Sequence, residues 1–275
     1  MDYYKFRIVA DPATAEILTA LLSQAPFDTF QDTDDGVEAF IPASALSPET
    51  EAYLHGLQAA HIFDFQKEFI PGQNWNVLWE TNFHPVRVGS FCGIRADFHP
   101  PFTGVEHELV INPKMAFGTG HHETTYMMVE AMENLPFDGK VVLDYGCGTG
   151  VLAILASRLG AARVDAVEIE EEACHNAREN CSVNRTDNVA VYHGTLDDVP
   201  GNAYDIVLAN INRNVILDSL STLTRILKPG GRLAISGFVE ADADMMKNAL
   251  TAHRLRLLET KRKNNWLALL AEAAA

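Results

Sequence analysis

The amino-acid sequence predicts an α/β protein: a doubly wound sheet of seven strands, mostly parallel and covered by helices on both faces, preceded by a smaller α+β domain. Three observations carry that expectation. From about residue 121 onward, short apolar runs alternate with stretches of helical length, the rhythm of parallel strands joined by crossover helices. The first seventy residues instead read β-α-β-β-α-β, the order of a ferredoxin-like sandwich. Finally, Lys140-Val141-Val142-Leu143-Asp144 breaks at once into Tyr145-Gly146-Cys147-Gly148-Thr149-Gly150. That is a buried strand turning sharply into a helix, with backbone exposed for a ligand.

In the first domain, expected over 1–70, Tyr3–Val9 is strand-like and Asp11-Pro12 opens a helix through about Leu22, with proline in its first turn. Residues 27–30 and 37–41 flank Asp34-Asp35-Gly36, a turn signal between short strands. Ser47-Pro48-Glu49 starts a second helix to about Ala60, and 61–70 return as a strand. Residues 71–84 form the expected linker, with Trp75, Trp79 and Phe83 spaced by four like a helical stripe that packs one domain on another.

The second domain is expected over 85–275. Residues 85–111 alternate enough for strands, interrupted by His99-Pro100-Pro101. Sheet strands are expected at 141–144, 163–168, 189–193, 205–209 and 231–236, with two more near 254–259 and 265–270 pairing as an antiparallel edge. Helices start near Gly150, Glu170, Val215 and Ala241. Lys228-Pro229-Gly230-Gly231 is a helix stop and turn. The alanine-rich end, 271–275, is expected to fray.

Composition narrows the function. A formal net charge of −16 argues against direct nucleic-acid binding, which needs a basic face, and fits attraction to a basic protein. There is no apolar run near the roughly 20 residues that cross a bilayer, and Met1-Asp2-Tyr3-Tyr4-Lys5 lacks the layout of a signal peptide. Cys92, Cys147, Cys174 and Cys181 show no CxxC spacing, so neither a zinc site nor a disulfide framework is expected. A cytoplasmic monomer without membrane contact is the expectation. No metal is expected at His121-His122-Glu123, because adjacent histidines on a regular helix cannot face one ion.

Ligands of doubly wound sheets collect at the carboxyl ends of the strands, near the switch point. Gly146, Gly148 and Gly150 follow the first strand of the doubly wound sheet, Glu168 ends the next, and Asn210 ends the fourth. A carboxylate at the position of Glu168 can accept both hydroxyls of a ribose. Gly148-Thr149-Gly150-Val151-Leu152-Ala153 could pass for the dinucleotide pattern G-x-G-x-x-A. However, Asp144 just before the loop would repel a phosphate, and no hydride-transfer set follows. Thr195-Leu196-Asp197-Asp198 would lie near a bound base.

Asp144-Tyr145-Gly146-Cys147-Gly148-Thr149-Gly150 resembles motif I of class I S-adenosylmethionine-dependent methyltransferases, with a Rossmann-like sheet and a phosphate-free cofactor. A second Gly-Thr-Gly, inside Asn112-Pro113-Lys114-Met115-Ala116-Phe117-Gly118-Thr119-Gly120-His121-His122-Glu123-Thr124-Thr125, narrows the likeness to the ribosomal-protein lysine methyltransferases of the PrmA type. The resemblance implies S-adenosyl-L-methionine as cofactor. It implies lysine amines, and N-terminal amines, of the basic large-subunit ribosomal protein L11 as acceptors. By it Thr125, Gly146, Glu168 and Asn210 bind the cofactor, with Asp144 and Gly148 beside them and Phe117, Gly118 and Thr119 folded over its methionine end. Asn210 would also orient the acceptor amine in catalysis, and His121 or His122 could relay its proton. Departures are Glu168 where Asp is frequent, and the polar Ile211-Asn212-Arg213-Asn214. The alternatives are a class I methyltransferase for another protein or a small molecule, or a non-catalytic module keeping the cofactor fold.

Overall fold

The structure, a computed structural model, describes residues 2–33, 35–61, 63–70, 84–112, 117–118, 120–200 and 203–274. The chain forms two compact units, Met1–Phe83 and His84–Ala275. The expected linker helix with Trp75, Trp79 and Phe83 lies outside the described residues, as does Thr119.

The first unit runs β1 (Tyr3–Val9), α1 (Pro12–Leu22), β2 (Thr29–Thr33), β3 (Gly36–Pro42), α2 (Pro48–His61), β4 (Asp64–Ile70). Its sheet has the order β2-β3-β1-β4 with antiparallel pairs throughout. Asp11 caps α1, its carboxylate accepting the N–H groups of Ala13 and Thr14 at 3.1 and 3.2 Å, which satisfies donors that a helix start leaves unpaired. Phe6, Ile8, Val37 and Ile41 from the strands share one core with Leu18, Leu22 and Leu54 from the helices. Strand β2 begins at Thr29, later than the apolar run 27–30 suggests. Phe27 is buried in the core from a tight turn, its N–H bonded to the Ala25 carbonyl.

The second unit opens with a small sheet, order β5-β6-β7, of β5 (Val86–Val88), β6 (Cys92–Arg95) and β7 (His107–Val110). After α3 (Glu123–Met132) come β8 (Val141–Tyr145), α4 (Val151–Arg158), β9 (Arg163–Glu168), α5 (Glu171–Asn184), β10 (Val189–His193) and β11 (Tyr204–Asn210). The chain ends with α6 (Arg213–Ile226), β12 (Leu227–Val239), a 3₁₀ turn, α7 (Ala243–Ala252), β13 (Leu255–Lys263) and β14 (Trp266–Ala273). These strands form one seven-stranded sheet, β10-β9-β8-β11-β12-β14-β13. The pairs from β10 to β12 are parallel, and β14 runs antiparallel to both its neighbours. Along β8, β9, β11, β12 and β14, side chains alternate between two cores. Val142, Ala166, Leu208 and Ala268 join Met128 and Ile154 on the α3–α4 side; Leu143, Val167, Val207 and Leu269 join Leu220 and Met246 on the α6–α7 side. Burial on both faces is why these strands read as unbroken apolar runs.

Several boundaries differ from the sequence reading for local reasons. Helix α6 starts at Arg213 because Asn212 caps it, accepting the N–H groups of Asn214 and Val215 at 2.9 and 3.3 Å. Tyr204 of β11 faces Leu227 and Ile206 faces Arg232, so the Pro-Gly-Gly segment loops out of a strand that has already begun. Against the expectation of a frayed end from residue 271, β14 continues to Ala273, with Ala271 and Ala273 buried and Glu272 ion-paired to Arg232 and Arg256. Helix α5 buries Asn176, Asn180 and Asn184 on one face. Asn180 and Asn184 accept the N–H groups of Asn112 and Val110 at 3.0 Å each, while Asn176 and Asn184 donate to the carbonyls of the same two residues at 2.7 Å. A helix thereby satisfies the edge of β7, as a neighbouring strand would.

Asp144 is buried near the end of β8. Its Oδ2 accepts the Ala153 N–H at 3.0 Å and its Oδ1 has no partner among the described residues. Burial pushes its carboxyl up to about 7, against the pull of the Ala153 bond, and the Glu168 charge adds to the rise. Between about pH 4, where an unfolded aspartate ionises, and pH 7, the folded state therefore holds a proton that the unfolded chain has lost. Stability falls as pH rises through that window, by on the order of 4 kcal/mol. Asp144→Asn removes this titration, so its Tm should gain on the parent's as pH rises from 5 to 8 in thermal melts. A gap that stays constant would mean that Asp144 ionises normally in the folded chain. Truncation after Leu270 removes two buried alanines and the Glu272 ion pairs, a loss of about 2 kcal/mol, and should lower Tm by about 4–8 °C at about 2–4 °C per kcal/mol for a unit of this size; a frayed tail would leave Tm unchanged.

Candidate functional site

The strand order reverses at β8, whose neighbours β9 and β11 continue the chain in opposite directions across the sheet. A cavity of about 630 Å³ opens at the carboxyl ends of the strands there, where open α/β sheets bind their ligands. Gly146 and Gly148, both with left-handed φ (72° and 52°), form its floor. A Cβ on Gly146 would lie 2.1 Å from the Ile211 side chain, and one on Gly148 only 2.3 Å from the Phe117 carbonyl oxygen. No other residue type fits either place.

The two Gly-Thr-Gly turns meet at this floor. The Thr149 N–H donates to the Phe117 carbonyl at 2.9 Å, and its hydroxyl donates to the Gly118 carbonyl at 2.7 Å. Phe117, 54% exposed, is thereby held along the cavity wall. Glu168, at the end of β9, lines the same cavity. Its Oε2 accepts the Gly148 N–H at 3.0 Å, and its Oε1 accepts those of Ile169 and Glu170 at 2.8 and 3.2 Å. Asn210, at the end of β11, donates from Nδ2 to the Thr125 hydroxyl at 3.1 Å. The buried Oδ1 of Asn210 has no partner among the described residues, so one acceptor is left over in a residue that lines the cavity.

Other residues singled out in the sequence fall elsewhere. Asp144 is not among the lining residues; it stands behind the floor and orders the first turn of α4. Thr125 is buried and reaches the site through Asn210. Of the segment after β10, Thr195 lines the cavity, whereas Asp198 turns back to accept the Thr195 N–H at 2.8 Å. His122 lines the cavity and caps α3, its Nδ1 accepting the Thr124 N–H at 3.3 Å. Glu123, in the first turn, is bonded by Asn264 at 2.7 Å.

Sequence reasoning missed Trp266, Tyr145 and Gly237, all on the cavity wall. For Trp266 the usable signal was direction. An antiparallel strand in a parallel sheet begins where its neighbours end, so the first residue of β14 stands on the carboxyl rim, paired with Val239. Its ring meets His122 edge-on with centroids 4.7 Å apart. The described lining holds two carboxylates, Glu168 and Glu170, several aromatic rings, and neither lysine nor arginine. Such a wall suits a flat, cationic ligand without phosphate.

Known proteins place this arrangement in a family. The family model described as ribosomal protein L11 methyltransferase (PrmA) matches residues 15–274. A ribosomal protein L11 methyltransferase of Porphyromonas gingivalis is 38% identical over 260 residues, covering 92% of this chain and 89% of its own length. One from Bacteroides fragilis is 33% identical over 280 residues, covering 98% of this chain and 99% of its own length. The crystal structure of a ribosomal protein L11 methylase from Lactobacillus delbrueckii subsp. bulgaricus superposes with a TM-score of 0.64 at 26% identity, over 70% of this chain and 100% of that one. A methyltransferase structure from Pyrococcus furiosus, 18% identical with a TM-score of 0.53 over 61% of this chain and 90% of that one, shares the fold. Motifs, sheet order and a match running from residue 15 to 274 agree: the chain belongs to the ribosomal protein L11 methyltransferase (PrmA) family.

Proposed function

We propose that this protein transfers methyl groups from S-adenosyl-L-methionine to amines of ribosomal protein L11, with lysine side chains and the N-terminal amine as acceptors. The observation that carries the reading is the cavity wall: Glu168 at the end of β9, a glycine floor closed to any Cβ, the spare Oδ1 of Asn210, and no lysine or arginine among the described lining residues. Those residues fit a nucleoside that bears a sulfonium and an amino acid instead of phosphate.

In this reading Glu168 accepts the ribose hydroxyls while keeping its bond to the Gly148 N–H. Gly146 and Gly148 let the backbone close on the methionine end, and Phe117 and Gly118 cover it, with Thr119 in the same segment. Thr125 holds Asn210, and Thr195 borders the base. When bound, the cofactor supplies an electrophilic methyl carbon on a sulfonium. The chain's own residues then supply position, the main source of acceleration for an in-line displacement. A lysine amine, with an ordinary pKa of about 10.4, must shed its proton before its lone pair can attack. Exclusion of water beside a cation favours that neutral form, and the Asn210 carbonyl can accept one amine N–H and orient the nitrogen without a dedicated base. The division into 1–70, a linker 71–84 and 85–275 gives the first unit, ferredoxin-like in strand order, the task of presenting the protein substrate.

Glu168→Gln keeps the shape and removes the charge. Calorimetry should show S-adenosylmethionine bound about tenfold more weakly or worse, the scale of a lost charged hydrogen bond; an unchanged Kd would remove Glu168 from the ribose. Asn210→Ala should lower kcat on L11 by about 10- to 100-fold, a cost of about 1.4–2.7 kcal/mol, and full turnover would sink its role. Intact-mass analysis of L11 after incubation with enzyme and cofactor tests the acceptor directly. Methyl increments on other ribosomal proteins but none on L11 would favour a different substrate.

A further inference from the structure

Asn210, Ile211, Asn212 and Arg213 carry the chain from β11 into α6. Asn210 pairs with Ser236 of β12. The next residue of that strand, Gly237, has a left-handed φ of 103° and is skipped where β12 pairs with β14. A Cβ on Gly237 would lie 2.0 Å from the Ile211 carbonyl oxygen and 3.2 Å from the Ile211 nitrogen, so the Ile211 backbone rests on bare glycine. The Ile211 side chain rests on a second one, Gly146. Gly146 follows β8 and Gly237 lies on β12, the two strands that flank β11. Together they let Ile211 sink close to the sheet. Such contacts limit how near the residue can come and do nothing to stop it lifting away.

Retention comes from the two ends of the segment. Asn210 donates to the Thr125 hydroxyl at 3.1 Å. At the other end Asn212 caps α6, and Arg213 is the first residue of that helix. A cation there meets the positive end of the helix dipole, and the first turn of α6 holds no acid to offset it. The counter-charge comes from 29 residues further on: Arg213 Nη1 donates to Asp242 Oδ1, while Arg213 Nε donates to the Asn214 side-chain oxygen at 3.1 Å. Asp242 stands in the 3₁₀ turn after β12, and its Oδ2 accepts the Val239 N–H at 3.3 Å. The ion pair therefore straps the first turn of α6 to the end of the strand that bears Gly237. The Arg213 side chain is 38% exposed and that of Asp242 14%. A pair so placed adds little to global stability; what it fixes is position. Neither residue is among the described residues that line the cavity.

We propose that Arg213 and Asp242 are positioning residues for methyl transfer: their ion pair keeps Ile211 seated on Gly146 and Gly237, and so holds the backbone from which Asn210 presents its Oδ1. The proposal rests on the role given to Asn210 above and names what sets its geometry. An in-line displacement needs nucleophile, methyl carbon and sulfur aligned, and a shift of about 1 Å costs about 10²-fold in rate. Thr125 fixes the amide of Asn210 through one bond; the strap fixes the chain that follows it. The polar run Ile211-Asn212-Arg213-Asn214, a departure from the family pattern, thereby acquires a task. Asn212 caps the helix, Arg213 reaches Asp242, and Asn214 orients the guanidinium. Glu168 keeps its bonds to the N–H groups of Gly148, Ile169 and Glu170 whether or not the strap is closed, so holding the cofactor is not part of that task.

Steady-state kinetics on L11 and calorimetry with S-adenosylmethionine test the strap. Arg213→Ala and Asp242→Ala should each lower kcat by about five- to twentyfold, part of the cost of misplacement near the chemistry, while the cofactor Kd stays within about twofold of the parent's. Arg213→Lys keeps the charge and should hold kcat within about twofold of the parent's, since a single guanidinium nitrogen makes the contact. In an Asn210→Ala background, adding Arg213→Ala should cost less than about twofold, because the strap acts through Asn210 and the two losses do not add. An equal loss in both backgrounds overturns the strap and leaves the role of Asn210 standing, as does Arg213→Ala with the parent's kcat. A fall in kcat matched by an equal weakening of cofactor binding marks general disruption of the site and also overturns the strap. Full turnover in Asn210→Ala alone overturns both the role of Asn210 and the strap that serves it.

Discussion

Thr149 joins the two loops on which the site depends. It is fully buried, donates from its N–H and hydroxyl to the carbonyls of Phe117 and Gly118, and accepts at its own carbonyl from Asn180 at 2.9 Å. Three elements distant in sequence, the segment before α3, the turn after β8 and the face of α5, therefore share one residue. Buried backbone carbonyls must be satisfied, and a threonine at this point satisfies two with a single side chain and peptide. Around it, Gly146 and Gly148 leave room that any side chain would close. The floor of the cavity is consequently rigid where a cofactor has to be held.

The asparagines of α5 extend the same logic. Asn176, Asn180 and Asn184 recur every four residues, on one helical face, and supply the hydrogen bonds that the edge of β7 lacks. Their burial would be costly if they were unpaired, and here each is spent on backbone groups just ahead of the segment that reaches Phe117. The small sheet is thus tied to the large one by side chains instead of by strand pairing. Electrostatics follows a matching division. Glu168 lies on the cavity wall, bonded to three N–H groups, whereas Asp144, with one bond and no solvent, is driven toward the neutral form. Two acids twenty-four residues apart in the same motif region hold opposite roles because one faces the cavity and the other faces the protein interior.

Much of this was legible in the sequence because it depends on local rules. Apolar runs buried on both faces, the Asp144-to-Gly150 turn, and the acid and amide at the ends of β9 and β11 all follow from strand period, glycine conformation and the position of strand ends. The pairing of the two Gly-Thr-Gly segments in one pocket was legible as well, though not the threonine bonds that make it. What failed did so where a residue's neighbours come from far along the chain. Residues 271–275 look like a loose tail, yet Ala271 and Ala273 are buried in β14. Asp198 has the chemistry to meet a base but is used by its own turn.

The sequence by itself determined the fold class and the places of Gly146, Gly148, Glu168 and Asn210 at strand ends, because strand period and the turn that follows a strand are local patterns. Only the tertiary structure decided the far end of the cavity. Trp266 enters the site because β14 runs against the parallel strands and starts on their carboxyl rim, next to the N-terminus of α3. An antiparallel edge was legible in the sequence, but the order β12-β14-β13, which sets the start of β14 beside the end of β12, is a property of the assembled sheet that no local pattern of residues carries.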